Sequence, residues 1–334
     1  MGLFGKKDEL QIITFSTYGT ASHLYIKGRA LEDERIDLLE EGLTSVLKNT
    51  WKRWGTDEIK NTSLVVELSN GKRIETKTDS EGYYLIEEEI KDLKTNFDSK
   101  EWLSYTVSYG NTSFKNKISQ ENRFYGEMLI PSNNAEYGVI SDIDDTILHT
   151  GVASVLKWRA ILNTFFKNVK NRIPLEGAAD FYHELYKGKS GESENPMFYV
   201  SNSPWNLYRY LQFFLEKNNF PKGPVLLRNL REPFDKGSKT ERPHKDHEIR
   251  NILKTYPDMN FVLIGDCGEH DAAIYKQIAT EFPDRILAIY LRSVAHKRKM
   301  KRIKDLFSDY AITPVLLVKT SAEASDHAKK NGLL

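Results

Sequence analysis

Tyr137-Gly-Val-Ile-Ser-Asp-Ile-Asp-Asp-Thr-Ile-Leu148 decides the reading of this chain. An apolar, β-favouring run ends on a turn that carries two carboxylates, Asp142 and Asp144. A buried parallel strand reads as a short continuous apolar run, and in open α/β sheets the chemistry gathers beyond the carboxyl ends of such strands. Asp142 and Asp144 are therefore expected at a crevice. Carboxylates two residues apart in a partly desolvated turn repel one another unless a cation neutralises them, which points to a hard, oxygen-preferring ion such as Mg²⁺. A calcium-loop reading fails, because that loop asks for an acid or amide at 146 and Gly at 147, where this chain has Thr146 and Ile147.

Outward from this turn, composition sets the bounds. At 334 residues with 40% hydrophobic and 28% charged side chains, the chain has room for two globular cores. The net charge of +1 divides into a mildly acidic first part and a mildly basic remainder, too weak a bias to argue for nucleic acid but suited to handling phosphate. The single cysteine, Cys267, leaves no internal disulfide and makes a cysteine-rich zinc site implausible, which fits a reducing, cytoplasmic setting. No apolar run approaches a membrane span, and the start lacks a signal core. Met1-Gly2 does not make a myristoylation site, since that motif wants Ser or Thr at position 6 and meets Lys6.

The region before the turn reads as β-rich. Candidate strands are Gln11–Tyr18 and His23–Ala30. Ile36, Leu39, Leu43, Val46, Leu47, Trp51 and Trp54 then recur at helical spacing. Period two follows at Leu64, Val66 and Leu68 up to the hairpin signal Asn70-Gly71, again at Tyr84 and Ile86, and again at Leu103, Tyr105, Val107 and Tyr109. Phe114 with Ile118 and the stretch 124–130 add two more strand candidates. Seven or so short strands with one inserted helix predict a β-sandwich-like domain over 1–130, with a turn-rich linker at 131–136. Its partner is not legible. From 137 to 334 strand and helix alternate: strands at 137–142, 197–201, 224–228, 261–265, 286–291 and 314–318, helices at 152–170, 177–187, 205–218, 245–255, 271–281 and 297–307. That alternation predicts an α/β fold with a doubly wound parallel sheet.

Four places in this second domain carry residues of one chemical trade. They are Asp142, Asp144 and Thr146 after the first strand, Ser201 and Asn202 after the second, Lys245 opening a helix, and Asp266 and Asp271 after the fourth. Phosphoryl transfer asks a protein for a metal, donors for the equatorial oxygens, a cation and an in-line nucleophile. In that scheme Asp142 attacks phosphorus, and Asp144 acts as general acid and then general base. Thr146, Ser201, the Asn202 amide and Lys245 hold or offset the phosphate, while Asp142, the Asp144 carbonyl and Asp266 hold Mg²⁺. Asp271 is either an acid behind the metal ligands or the N-cap of the helix that follows. Lys245 is preferred over Lys236 and Lys239 because it alone begins an amphipathic segment. His149, His244 and His270 read as turn or capping residues, since hard Mg²⁺ prefers oxygen. Trp205 reads as a pocket wall or as core.

Asp-x-Asp-x-Thr, a Ser after the second strand, a Lys and Gly265-Asp266 in that order resemble the haloacid dehalogenase superfamily, in the branch whose second Asp marks phosphatases. The spacing leaves no room for a large cap. Closer resemblance runs through Asp142-Ile-Asp-Asp-Thr-Ile-Leu-His-Thr-Gly151, Phe198-Tyr-Val-Ser-Asn-Ser-Pro-Trp205 and Gly265-Asp-Cys-Gly-Glu-His-Asp-Ala-Ala-Ile-Tyr275, which look like the actin-patch-protein family of Mg²⁺-dependent phosphatidate phosphatases. That resemblance implies hydrolysis of phosphatidate to diacylglycerol and phosphate through an aspartyl-phosphate. Cys267 departs from the Ser usual there and raises the expectation of oxidation sensitivity. Two alternatives stand beside it: a soluble or protein phosphomonoester as substrate, since the motifs say nothing of the leaving group, and a non-catalytic interaction protein on the same scaffold.

Access to a lipid would come through residues 152–173, basic and apolar without one acid. Lys157, Arg159, Lys167 and Lys170 there suit an anionic membrane surface. The bland reading is a crossover helix packed on its sheet. A rival basic stretch, 292–304, reads as a solvated helix face.

Overall fold

A computed structural model describes residues 9–33, 58–90, 101–144, 146–147, 176–228, 243–267, 270–293 and 296–334. The helix expected over 36–54, the basic segment 152–173, and His149, Lys236 and Lys239 lie outside the described residues. Two compact units divide the chain at Met1–Ile130 and Pro131–Leu334.

Among the described residues the first unit has eight strands: β1 (Glu9–Thr14), β2 (Thr17–Gly19), β3 (His23–Asp33), β4 (Ser63–Leu68), β5 (Arg73–Lys77), β6 (Tyr83–Glu89), β7 (Trp102–Tyr109) and β8 (Phe124–Leu129). They form one hydrogen-bonded network in the order β1-β3-β2-β8-β7-β4-β5, with β6 joined to β3. Alternation along β4 and β7 turns Leu64, Val66 and Leu68 and Leu103, Tyr105, Val107 and Tyr109 into a shared core with residues of β1, β3, β6 and β8. Asn70-Gly71 closes the β4–β5 hairpin as its sequence demands, with Gly71 at φ +82°. The strand expected around Phe114 and Ile118 is absent. Ile118 makes one isolated bridge to Leu10, and both side chains serve as partly buried packing against the core.

Among the described residues the second unit carries six parallel strands: β9 (Gly138–Ser141), β10 (Met197–Pro204), β11 (Val225–Arg228), β12 (Phe261–Asp266), β13 (Ile286–Arg292) and β14 (Val315–Val318). Their order, β11-β10-β9-β12-β13-β14, shows the chain winding outward from β9 to one side and then outward from β12 to the other. The reversal falls between β9 and β12, and the crevice outside such a switch point is where open α/β sheets place their ligands. All four residues of β9 and all six of β12 are buried, so the continuous apolar runs in the sequence are those of strands covered on both faces.

Helices α1 (Ala178–Lys187), α2 (Tyr208–Lys217), α3 (His244–Thr255), α4 (Asp271–Glu281), α5 (Lys297–Leu306) and α6 (Ser321–Lys330) follow the strands. Sequence periodicity locates the first five to within a few residues, and a 3₁₀ turn at Trp205–Leu207 takes up the start of the segment expected from 205. It misses α6, whose buried positions are only Ser and Ala. Thr320 nonetheless caps that helix by accepting from the Glu323 amide, and Glu323 reaches back to the Lys319 amide. Among the described residues no helix is long and apolar enough to cross a membrane.

Candidate active site

Strand β9 delivers Asp142 to the crevice one residue beyond its end, and the pairing with β12 continues through Asp142 N donating to Ile264 O at 2.8 Å. A turn closed by Ile147 N to Ile143 O, 3.0 Å, brings Thr146 back so that its hydroxyl donates to Asp142 Oδ2 at 3.1 Å. The backbone of Asp142 is held from behind. Tyr182 on α1 lies 2.5 Å from Ser141 Oγ, which itself donates to Asp142 O at 2.7 Å. Burial raises the Tyr182 phenol well above its ordinary pKa, so it stays protonated and is the donor in that pair.

Strand β12 ends on Asp266, and Asp271 opens α4 after the short connection. Carboxylate oxygens of Asp142, Asp266 and Asp271 lie within 4.8 Å of one another, and all three residues are fully buried. Gly265 makes this approach possible: a Cβ there would meet Asp271 Oδ2 and the Tyr275 ring, both at 2.8 Å. Lys245, the second residue of α3 and 1% exposed, places its ammonium 2.8 Å from Asp142 Oδ1 and 2.7 Å from Asp271 Oδ1. Three carboxylates against one ammonium leave two negative charges in a dry site, a costly arrangement that a divalent cation would balance. The three side chains offer only oxygen, the donor type hard divalent ions take. The residues present therefore fit Mg²⁺.

Asp144 faces elsewhere. Its Oδ2 accepts from Ser201 Oγ at 2.5 Å and from Ser203 Oγ at 3.0 Å, while Ser203 N donates to Ser201 Oγ at 2.9 Å. Thr146 and Ser201, expected on phosphate, thus spend their hydroxyl protons on Asp142 and Asp144. The carboxylate trio contains Asp271, expected behind the ligands, and not the Asp144 side chain. Nor is Asp271 the cap of α4, because His270 occupies that position and makes no side-chain cap bond. His270 is exposed in its turn, and His244 lies 3.9 Å from Glu248 on the same helix; neither belongs to the carboxylate cluster. Asn202 follows Ser201 within the extended end of β10, and Trp205 is buried beside Tyr208. Ser203 and Tyr182 escape the sequence reading. Ser203 had a signal, since two residues from Ser201 along an extended strand is the same face.

Cys267 is buried, and its thiol is pushed up to about 12 by burial, with Asp266 and Asp271 adding to the effect. The oxidation sensitivity expected from the sequence does not follow, because attack requires an accessible thiolate. Native protein at neutral pH should resist iodoacetamide at Cys267 and become alkylated only on unfolding; rapid labelling of the folded protein would show the site opening. The sign for stability is fixed as well. A thiol raised from 9.0 supports the fold fully below that pH, and its contribution is lost as pH rises towards about 12.

Fold and site define an α/β unit with a buried acidic centre, fitted to a divalent cation, at the carboxyl edge of a parallel sheet. Residues 137–293, within the second unit, match the family described as "Phosphatidate phosphatase APP1, catalytic domain". The chain is similar to "Phosphatidate phosphatase APP1" of Saccharomyces cerevisiae, 38% identical over 156 residues covering 46% of this chain and 25% of that protein. It is also similar to "Uncharacterized protein C29B5.04c" of Schizosaccharomyces pombe, 28% identical over 244 residues covering 73% of this chain and 37% of that one. The chain thus spans between a quarter and two fifths of the length of these two relatives. An overlap with EndoBT-3987 of Bacteroides thetaiotamicron, solved with a Man5GlcNAc product, covers 84% of this chain and 77% of that one. Its TM-score is 0.21 at 8% identity, which carries no argument.

Proposed function

We propose that this chain is a Mg²⁺-dependent phosphatidate phosphatase of the haloacid dehalogenase type, releasing diacylglycerol and phosphate through an aspartyl-phosphate on Asp142. The observation that carries the reading is the buried trio Asp142, Asp266 and Asp271, with the Lys245 ammonium between two of its members. The family and the printed name of the yeast relative supply the substrate class. Asp142, Asp266 and Asp271 would hold Mg²⁺, with the Asp144 main-chain carbonyl as a further oxygen. An ion there neutralises the charge of an incoming phosphate.

Lys245 and Thr146 fix the two oxygens of Asp142 from different sides, which orients the carboxylate for attack on phosphorus. As the Asp142 oxygen bonds to phosphorus, the phosphorus–oxygen bond to diacylglycerol breaks and Asp144 supplies the proton to the departing alkoxide. Asp144, now ionised, takes a proton from the water that attacks the aspartyl-phosphate, returning both carboxyl groups to their starting states. Ser201 has one hydroxyl proton, so contact with the phosphate requires it to leave Asp144. Ser203 then keeps Asp144 oriented, and the Asn202 amide is a second donor for phosphate.

Phosphate release from phosphatidate, lysophosphatidate and a soluble sugar phosphate, each with Mg²⁺ and with excess chelator, tests the reading. Phosphatidate should be turned over fastest and only with the ion. Equal or faster turnover of the sugar phosphate would move the substrate to soluble esters, full activity in chelator would remove the metal, and no release from any ester would leave a non-catalytic scaffold.

A further inference from the structure

Among the described residues strand β14 ends the sheet without an outer neighbour, and three of its four residues stay half-buried. Between it and the carboxyl end of α5 lies a groove of about 440 Å³, walled by Phe307, Val315 and Leu317 and bearing Lys304, Tyr310 and Thr313. That volume lies within the roughly 300–1,000 Å³ of small-molecule sites. In a parallel sheet Thr313 and Val315, at the amino end of β14, sit on the edge opposite the one that carries Asp142 and Asp266. The groove is separate from the carboxylate centre.

Two hydroxyls in it are unspent. Thr313 is 3% exposed, and its Oγ1 has no hydrogen-bond partner among the described residues. The same holds for the buried Tyr310 hydroxyl, although the ring is fixed, with Phe307 edge-on at 5.5 Å and the Lys276 ammonium 5.6 Å from its centre. Native proteins satisfy nearly all buried polar groups, so two exceptions among the residues lining one groove point to an acceptor that arrives from outside.

The charge around the groove says what kind of acceptor. Six of the ten residues of α5 are Lys or Arg against one Asp, and Lys304 reaches the groove itself. Two neutral donors and one cation match a monoanion with two acceptor oxygens. A phosphate dianion is more commonly met by Arg forks or by a helix N-terminus. We infer that the α5–β14 groove binds a monocarboxylate with a hydrocarbon tail. Its carboxylate accepts from Thr313 Oγ1 and the Tyr310 hydroxyl beside Lys304, and its tail lies along Phe307, Val315 and Leu317.

The test is calorimetric titration of the full chain in excess chelator, where the catalytic centre does not turn over phosphate esters, with decanoate, decanol and decyl phosphate, all below micelle formation. Decanoate should saturate one site, with the other two at least about tenfold weaker, and Thr313→Val and Tyr310→Phe should each weaken decanoate about tenfold. Lys304→Met should weaken it and reduce its salt dependence. Asp142→Asn should bind decanoate like the unaltered chain, so failure at the catalytic centre and failure at the groove are distinguishable. Without ligand, Thr313→Val should melt no lower than the parent, because it replaces an unpartnered hydroxyl with a methyl of the same shape. No saturable decanoate binding, binding indifferent to Thr313→Val and Tyr310→Phe, decyl phosphate binding that is tighter than decanoate and is lost in those same two variants, or a lowered melting point for Thr313→Val would each overturn the assignment.

Discussion

Asp142→Asn should lower phosphatidate turnover by roughly four to six orders of magnitude, the scale on which losing a covalent nucleophile acts. The protein should stay folded. Asparagine keeps the shape, its carbonyl oxygen can still accept from Lys245, and the Thr146 hydroxyl can turn to accept from the new amide. One of three crowded carboxylates becomes neutral, so the metal-free melting temperature should hold or rise, while the stabilisation conferred by Mg²⁺ should shrink. Asp144→Asn provides the contrast. It removes the acid and base but not the nucleophile, so turnover of phosphatidate should fall at both steps, while an aryl phosphate whose leaving group needs no acid should still phosphorylate Asp142 and leave an adduct visible by intact mass. Ordinary turnover in Asp142→Asn together with an inert Asp144→Asn would reverse the two roles.

The parts of this site legible in the sequence are those where an apolar run stops on a polar residue. Asp142 and Asp266 stand at the ends of β9 and β12, strands buried along their whole length, so the run itself points at them. Lys245 was legible through the helix it opens, since Ile249, Ile252 and Leu253 mark the buried face of α3. Asp271 was ambiguous for a physical reason: an acid at the start of a helix looks the same in sequence whether it caps the helix or stands behind a metal centre. Only the approach permitted by Gly265 separates the two. Ser203 and Tyr182 act through partners distant in the chain, Asp144 and Ser141, and no local pattern reports such a pairing. In the first unit Phe114 and Ile118 mimic strand alternation because both lean on the core, yet their backbone finds little ladder to join.

Lys245→Met should be the most destabilising single change at the site. It deletes the cation that lies within 2.8 Å of both Asp142 and Asp271 and leaves three buried carboxylates with no ammonium among them. Removing one partner of a buried ion pair costs roughly 3–5 kcal/mol, because the remaining charge stays in a dry site. In chelator the variant should therefore melt well below the parent. Mg²⁺ should raise its melting temperature by more than it raises the parent's, since the ion then meets an uncompensated charge and binds the folded state alone. Activity should stay low even with saturating Mg²⁺, because the ammonium that offsets the phosphate is gone. Adding Asp271→Asn to Lys245→Met should recover part of the lost stability in chelator, a non-additivity expected only of groups that share one electrostatic site. Equal melting of Lys245→Met and parent in chelator, or a double variant no better than the sum of its parts, would show that Lys245 is not the counter-charge on which this acidic centre depends.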